Sequence, residues 1–183
     1  MLEIRKAKMD DLDEIMKIYQ RARKFMAEHG NPNQWGTQKP PKEQIIKDIV
    51  AEKSYICVER EDDIMETVLL EKFPEENNGK KEETIAAVFY YAIEEDSTYN
   101  VIYDGQWLNH KPYGVVHRIA SAGIVKGAGE FCLKWAWQQC ENLRIDTHEE
   151  NIVMQTLLKK TGFQYCGIIH LKDGNPRLAF QKQ

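Results

Sequence analysis

Apolar and polar positions recur along this chain with two different periods, and the switches between them mark its elements. In "MDDLDEIMKIYQRARKFMAEHG", Leu12, Ile15, Met16, Tyr19, Ala22 and Met26 follow i, i+3, i+4, i+7 spacing, the stripe of an amphipathic helix. Asp10 is placed to cap that helix, Asp13 lies in its first turn and Gly30 closes it. The short strand "LEIRKA" precedes it. "NPNQWGTQKPP" reads as a loop, and Pro41 suits the first turn of a second helix, "PKEQIIKDIVAEK", which leads into the strand "SYICVER". The runs "TIAAVFYYAIEE", "TYNVIY" and "YGVVHRIASA" are strand-like. Helix 128–141, strand "LRIDTH", helix 149–161 and the strands "FQYCGIIHL" and "RLAFQK" complete the chain. Between Glu61 and Glu83 the pattern weakens, and 61–84 is expected to be an exposed hairpin tip or insertion.

The order predicts an α/β (α+β) fold, a mixed sheet with helices on its faces. Crossover helices 128–141 and 149–161 keep the strands at 115–122, 142–147 and 163–170 from all pairing as simple hairpins. No repeat or linker interrupts residues 1–183, so a single domain is expected, long enough to bury a core of its own. A net charge of −4 gives no general pull toward nucleic acid or anionic membrane. The start "MLEIRKAKMDD" lacks a basic head with an apolar run, and no run of about 18 apolar residues occurs, so a cytoplasmic protein is expected. Cys57, Cys132, Cys140 and Cys166 lie far apart without C-x-x-C; buried reduced thiols are expected, with no metal.

The candidate chemistry begins at "SAGIVKGAGEFC". A Walker A loop fails because Ala128 stands five residues after Gly123, and a dinucleotide G-x-G-x-x-G fails because Cys132 stands where its last glycine would be. What survives is a strand that turns over glycines into a helix whose Ala128, Phe131, Cys132, Trp135, Ala136 and Cys140 form an apolar face. Such a turn leaves backbone N–H groups free at a positive helix end, and Gly127 and Gly129 let a phosphate approach. A glycine-rich turn that holds nothing is the plain alternative.

"IVKGAG" before a helix, followed by "LRIDTHEENIVMQTLLKKTGF", resembles the core of the GNAT superfamily of acyl-CoA-dependent N-acetyltransferases. Residues 115–170 carry the match, and the element order over 1–183 agrees with the whole fold. The resemblance implies a GNAT-like, mostly antiparallel central sheet flanked by helices on both faces. It also implies acetyl-CoA as acyl donor, with strand 115–121 holding the pantetheine arm through backbone at Ile119 and Ser121. Lys126, Gly127, Ala128 and Gly129 would hold the pyrophosphate, and Asn151 would reach the pantetheine or phosphate end. Asn151 also has a plain reading, solvated beside a Thr147–Glu150 capping box. The sequence departs from the family pattern at Ile124, where Gln or Arg is usual, and at Leu158, where a tyrosine general acid is frequent.

Acetyl transfer to a primary amine needs a group that takes a proton from an ammonium of pKa near 10. His117 and His148 lie on the strands that would flank the thioester and are the candidate bases, although a strand histidine is as often structural. Strand parity sets His117 with Val115 and Ile119, and His148 with Arg144 and Asp146. Asp146 is a candidate anchor for a cationic acceptor, or pairs with Arg144 or Arg118. Trp35 and Trp107 are candidate acceptor-binding aromatics in polar loops, or caps on the core. A thiol of pKa roughly 8.5 leaves partly as thiolate, so Tyr113 or Tyr165 or no acid at all could serve. The expected partner is a small-molecule or peptide amine, not nucleic acid or membrane, and a homodimer is allowed. The alternative is a non-catalytic acyl-CoA-binding regulator.

Overall fold

The computed structural model describes residues 1–60 and 83–183; most of the expected tip at 61–84 lies outside the described residues, and Glu83 and Thr84 already belong to a strand. The elements are β1 (Leu2–Lys6), α1 (Leu12–Glu28), α2 (Lys42–Val50), β2 (Ser54–Arg60), β3 (Glu83–Ile93), β4 (Gly114–Ser121), α3 (Ala128–Cys140), β5 (Leu143–Thr147), α4 (Ile152–Lys160), β6 (Gln164–His170) and β7 (Pro176–Lys182). The seven strands make one sheet, ordered β1-β2-β3-β4-β5-β7-β6. Every neighbouring pair is antiparallel except β4 with β5.

Helices cover both faces, as the apolar stripes require. On one face Ile15, Ile18, Tyr19, Ile45 and Ile49 of α1 and α2 pack on Ile56, Val58 and Val88. On the other, Ala128, Cys132, Leu133 and Ala136 of α3 and Leu158 of α4 pack on Cys57, Phe89, Val116 and Ile145. Each fully buried large aliphatic side chain contributes about 1.5–3 kcal/mol. All four cysteines are free; three are buried and Cys140 is half-buried.

Helix starts differ from expectation. A 3-10 turn over Met9–Asp11 precedes α1, and the Asp11 carboxylate, not Asp10, accepts from Lys8 N at 2.7 Å. At α4 the cap is Asn151, whose Oδ1 accepts from Met154 N at 3.0 Å; the Thr147–Glu150 capping box does not form, and helix starts at 152 rather than 149. "TYNVIY" is no strand, because Asp96 opens a 3-10 turn over Ser97–Tyr99 by accepting from Thr98 N and Oγ1 at 2.8 and 2.6 Å. Only an isolated bridge, Tyr103 to Ile168, remains of it.

Two irregularities open the middle of the sheet. The registered β4–β5 pairs are only Gly114–Leu143 and Val115–Arg144, so beyond Val115 the strands part. Arg118 has φ +53, and at that point the β3–β4 register jumps from Tyr90–His117 to Val88–Ala120. This bulge corrects the simple parity. His117 stays with Val115 on the α1/α2 face, whereas Ile119 packs with Val116 on the α3 side.

Candidate functional site

Where β4 and β5 part, a cleft of about 420 Å³ opens between the sheet and the loop 31–41, the volume of a small-ligand site. Val116, His117, Arg118 and Ile119 of β4 face Ile145, Asp146 and Thr147 of β5 across it, with Trp35 and Gln34 of the loop and Asn151 and Met154 of α4 on its rim. The loop is tied to α4 because Gln34 Oε1 accepts from both Asn31 Nδ2 and Asn151 Nδ2 at 2.8 Å.

His117 is held from two sides. Its Nε2 lies 2.8 Å from Asp96 Oδ2, and its Nδ1 lies 3.8 Å from Asp146 Oδ1. Asp146 is oriented by the hydroxyl of buried Tyr99, which donates to Oδ1 at 2.8 Å. Burial and the neighbouring Asp146 carboxylate hold the Tyr99 hydroxyl well above its ordinary pKa, so it remains a donor. Burial would push the Asp96 carboxyl up, but the hydrogen bonds from His117 and Thr98 outweigh it and hold the group far below the carboxylate range. An ionised Asp96 can only accept, so the proton of a neutral His117 ring sits on Nε2 and the Nδ1 lone pair faces the 3.8 Å gap to Asp146. Neither Arg118 nor Arg144 pairs with Asp146. Arg118 binds Asp48 at 2.9 Å, and Arg144 lies over the rings of Trp107 and Tyr113 at 4.2 and 4.0 Å.

The donor-side features lie next to this. Ala122 N bonds Ala86 O of β3 at 2.8 Å, so alternation along the strand turns the backbone groups of Ser121 and Ile119 the other way, toward β5. The Thr147 hydroxyl is buried, lines the cleft and has no hydrogen-bond partner among the described residues. Beyond β4, Gly127 at φ +86 begins α3 with no side-chain cap, leaving its first amides open. Exposed Lys126 stands beside them, buried Ala128 anchors the helix to the core, and Gly129 lets α4 approach, since a Cβ there would meet Leu157 Cδ2 at 3.3 Å.

The cleft thus gathers His117, Asp146, Ile119, Asn151 and Trp35 and leaves out other expected residues. His148 caps the turn after β5, its Nδ1 accepting from Glu150 N at 3.2 Å. Trp107 is core, buried with its indole donating to Tyr99 O at 2.9 Å. Tyr113 hydroxyl accepts from Asp96 N and Tyr165 meets Phe180 edge to face; neither lines the cleft. Leu158, at the family's acid position, is fully buried in the core. Asp96 and Gln34 go unread in the sequence, and Thr147 is read there only as a helix cap; Asp96 leaves a signal, the turn-forming "DST".

No family model matches the chain, and no curated protein matches it. Solved structures do. The chain is similar to an acetyltransferase of the GNAT family from Streptococcus agalactiae 2603, at 29% identity and a TM-score of 0.72 over 99% of this chain and 94% of that one. The ribosomal-protein-S18-alanine N-acetyltransferase of Escherichia coli shares the fold at 16% identity and a TM-score of 0.54, over 100% of this chain and 93% of its own. So does yncA of Salmonella typhimurium, solved with its cofactor acetyl-CoA, at 14% identity and a TM-score of 0.56, over 100% and 94%.

Proposed function

The chain belongs to the GNAT superfamily of acyl-CoA-dependent acetyltransferases, and from that premise we propose that it is an N-acetyltransferase whose proton acceptor is His117. The donor is acetyl-CoA, which supplies an activated acetyl group as a thioester. The residues present fit it: the β5-facing backbone of Ile119 and Ser121 and the unpartnered Thr147 hydroxyl receive the pantetheine arm. The open amides from Gly127 through Gly129, with Lys126, receive the pyrophosphate.

The acceptor is a primary amine entering on the α1/α2 face. Asp146 attracts its ammonium form, and His117 Nδ1 takes the proton. The neutral nitrogen then attacks the carbonyl carbon; a C–N bond forms, the C–S bond breaks with its electron pair leaving on sulfur, and the second proton that the nitrogen sheds goes to that thiolate. Amides on the open edge of β4 meet the charge that grows on the carbonyl oxygen. Leu158 removes no acid from the cleft, because that position points into the core. The observation that carries this reading is the His117 ring held between Asp96 and Asp146 where β4 and β5 part.

The test is thiol release from acetyl-CoA over a panel of amines, with His117→Gln beside wild type. Turnover is expected, falling 10²–10⁴-fold in the variant while acetyl-CoA still raises both melting temperatures. Stabilisation by acetyl-CoA without thiol release from any amine would favour the non-catalytic acyl-CoA-binding regulator. No stabilisation at saturating acetyl-CoA would remove both readings.

A further inference from the structure

Arg177 lines the cleft and is only 7% exposed, yet no carboxylate among the described residues lies within ion-pair distance of it. Of its five N–H donors, one is used, from Nη1 to the carbonyl of Pro176 at 2.8 Å. The acidic groups nearby are committed elsewhere. Asp173 feels the charge of Arg177 but has its ion pair with Lys39, at 3.8 Å; Asp96 binds His117, and Asp146 takes the Tyr99 hydroxyl. The other donors of Arg177 are not sealed in the core but reach the open cleft, and the planar fork matches a carboxylate through two parallel hydrogen bonds.

Register puts this cation on the working face. Asp146 is paired with Ala179, and Arg177 lies two residues along β7 from Ala179, on the same side of the sheet. At about 3.3 Å per residue, the two positions are about 7 Å apart along β7. The cleft therefore has an anionic end, Asp96 and Asp146 beside His117, and a cationic end, Arg177 with Lys39 on the facing loop. A diamine or polyamine would drive its second cation against Arg177. The first residue of a peptide has its α-carboxyl tied up in the amide bond and offers no α-carboxylate.

Resting on the acetyl-transfer reading above, we propose that the acceptor is a free amino acid, its amine at His117 and Asp146 and its carboxylate on Arg177. The side chain of the amino acid lies against Trp35, Met26 and Leu171, which line the same cleft.

The test compares each of the twenty L-amino acids with its α-amide, and with spermidine, as acceptors for the wild-type protein. At least one acid is expected to be used with a KM tenfold or more below that of its amide. Arg177→Gln should erase that ratio by raising the KM of the acid, and Arg177→Lys should restore part of it. The wild-type comparison comes first because it holds even if a variant at this buried position fails to fold. Amides or spermidine accepted as well as every acid would overturn the inference and leave acetyl transfer standing. If no amine releases thiol, calorimetry of the same acids and amides on protein saturated with CoA decides: tighter binding of an acid sustains the Arg177 site, and equal or absent binding removes it.

Discussion

At the residue level the chemistry turns on how Asp96 is held. Burial raises its carboxyl pKa, and the bonds from His117 and Thr98 lower it by more, so the folded group ionises at lower pH than the unfolded one. A depressed carboxyl pKa adds stability above the unfolded value near 3.9, and that stability is lost as pH falls through the acid range. Allowing for solvent screening of a half-buried group, about 1–2 kcal/mol is at stake. The melting temperature is expected to drop between about pH 5 and pH 3, and Asp96→Asn should flatten that drop. The same substitution leaves Nε2 without its anionic partner, so kcat should fall with little change in the acetyl-CoA Kd. His117 itself could be read in the sequence as a polar residue in an apolar strand. Its partners could not: Asp96 is 21 residues away and Tyr99 reaches Asp146 across 47, distances that only the sheet closes.

At the level of elements, Gly127 separates two effects. It begins α3 at φ +86, and a Cβ there would meet nothing within 4 Å, so Gly127→Ala costs only left-handed backbone strain, about 1–2 kcal/mol. The variant should fold, melt a few degrees lower and bind acetyl-CoA more weakly, as calorimetry would show. Gly114 behaves differently. A Cβ at that position would stand 2.9 Å from Cys140 Sγ, Leu143 Cδ2 and Tyr91 Cε2, all in the packed interior. Gly114→Ala should therefore destabilise by about 1–3 kcal/mol, read as a lower denaturant midpoint. The glycine turn and the flanking helices were legible because glycine spacing and the 3.6-residue stripe are local signals. The bulge at Arg118 was not, because a single extra residue leaves no periodic trace, and it moved Ile119 to the opposite face. "TYNVIY" misled for a related reason. Its β-branched and aromatic residues favour a strand, but the Asp96 side chain binds the next turn of backbone first.

For the whole molecule, ligand linkage gives the most direct measurement. A ligand that binds only the folded chain stabilises it by about 2.7 kcal/mol at 100 times its Kd, so acetyl-CoA at that excess should raise the melting temperature by several degrees. Arg177 shows what reading along the chain misses at this scale. It follows Asp146 by 31 positions, and only the order β5-β7-β6 sets the two on neighbouring strands. The expected helices on both faces needed no such knowledge, since each apolar stripe has to find a sheet face.

The parting of β4 from β5 after two registered pairs has a kinetic consequence. On the proposed reading the donor-binding groups lie toward α3 and α4 and His117 on the α1/α2 side of this gap, so the two substrates would have separate doors. Both can be aboard at once, and the acetyl group need never rest on the protein. Initial rates at several fixed amine concentrations should give double-reciprocal lines that intersect. Parallel lines, the mark of a protein-bound acetyl group, would contradict it. CoA added as product should compete with acetyl-CoA and not with the amine.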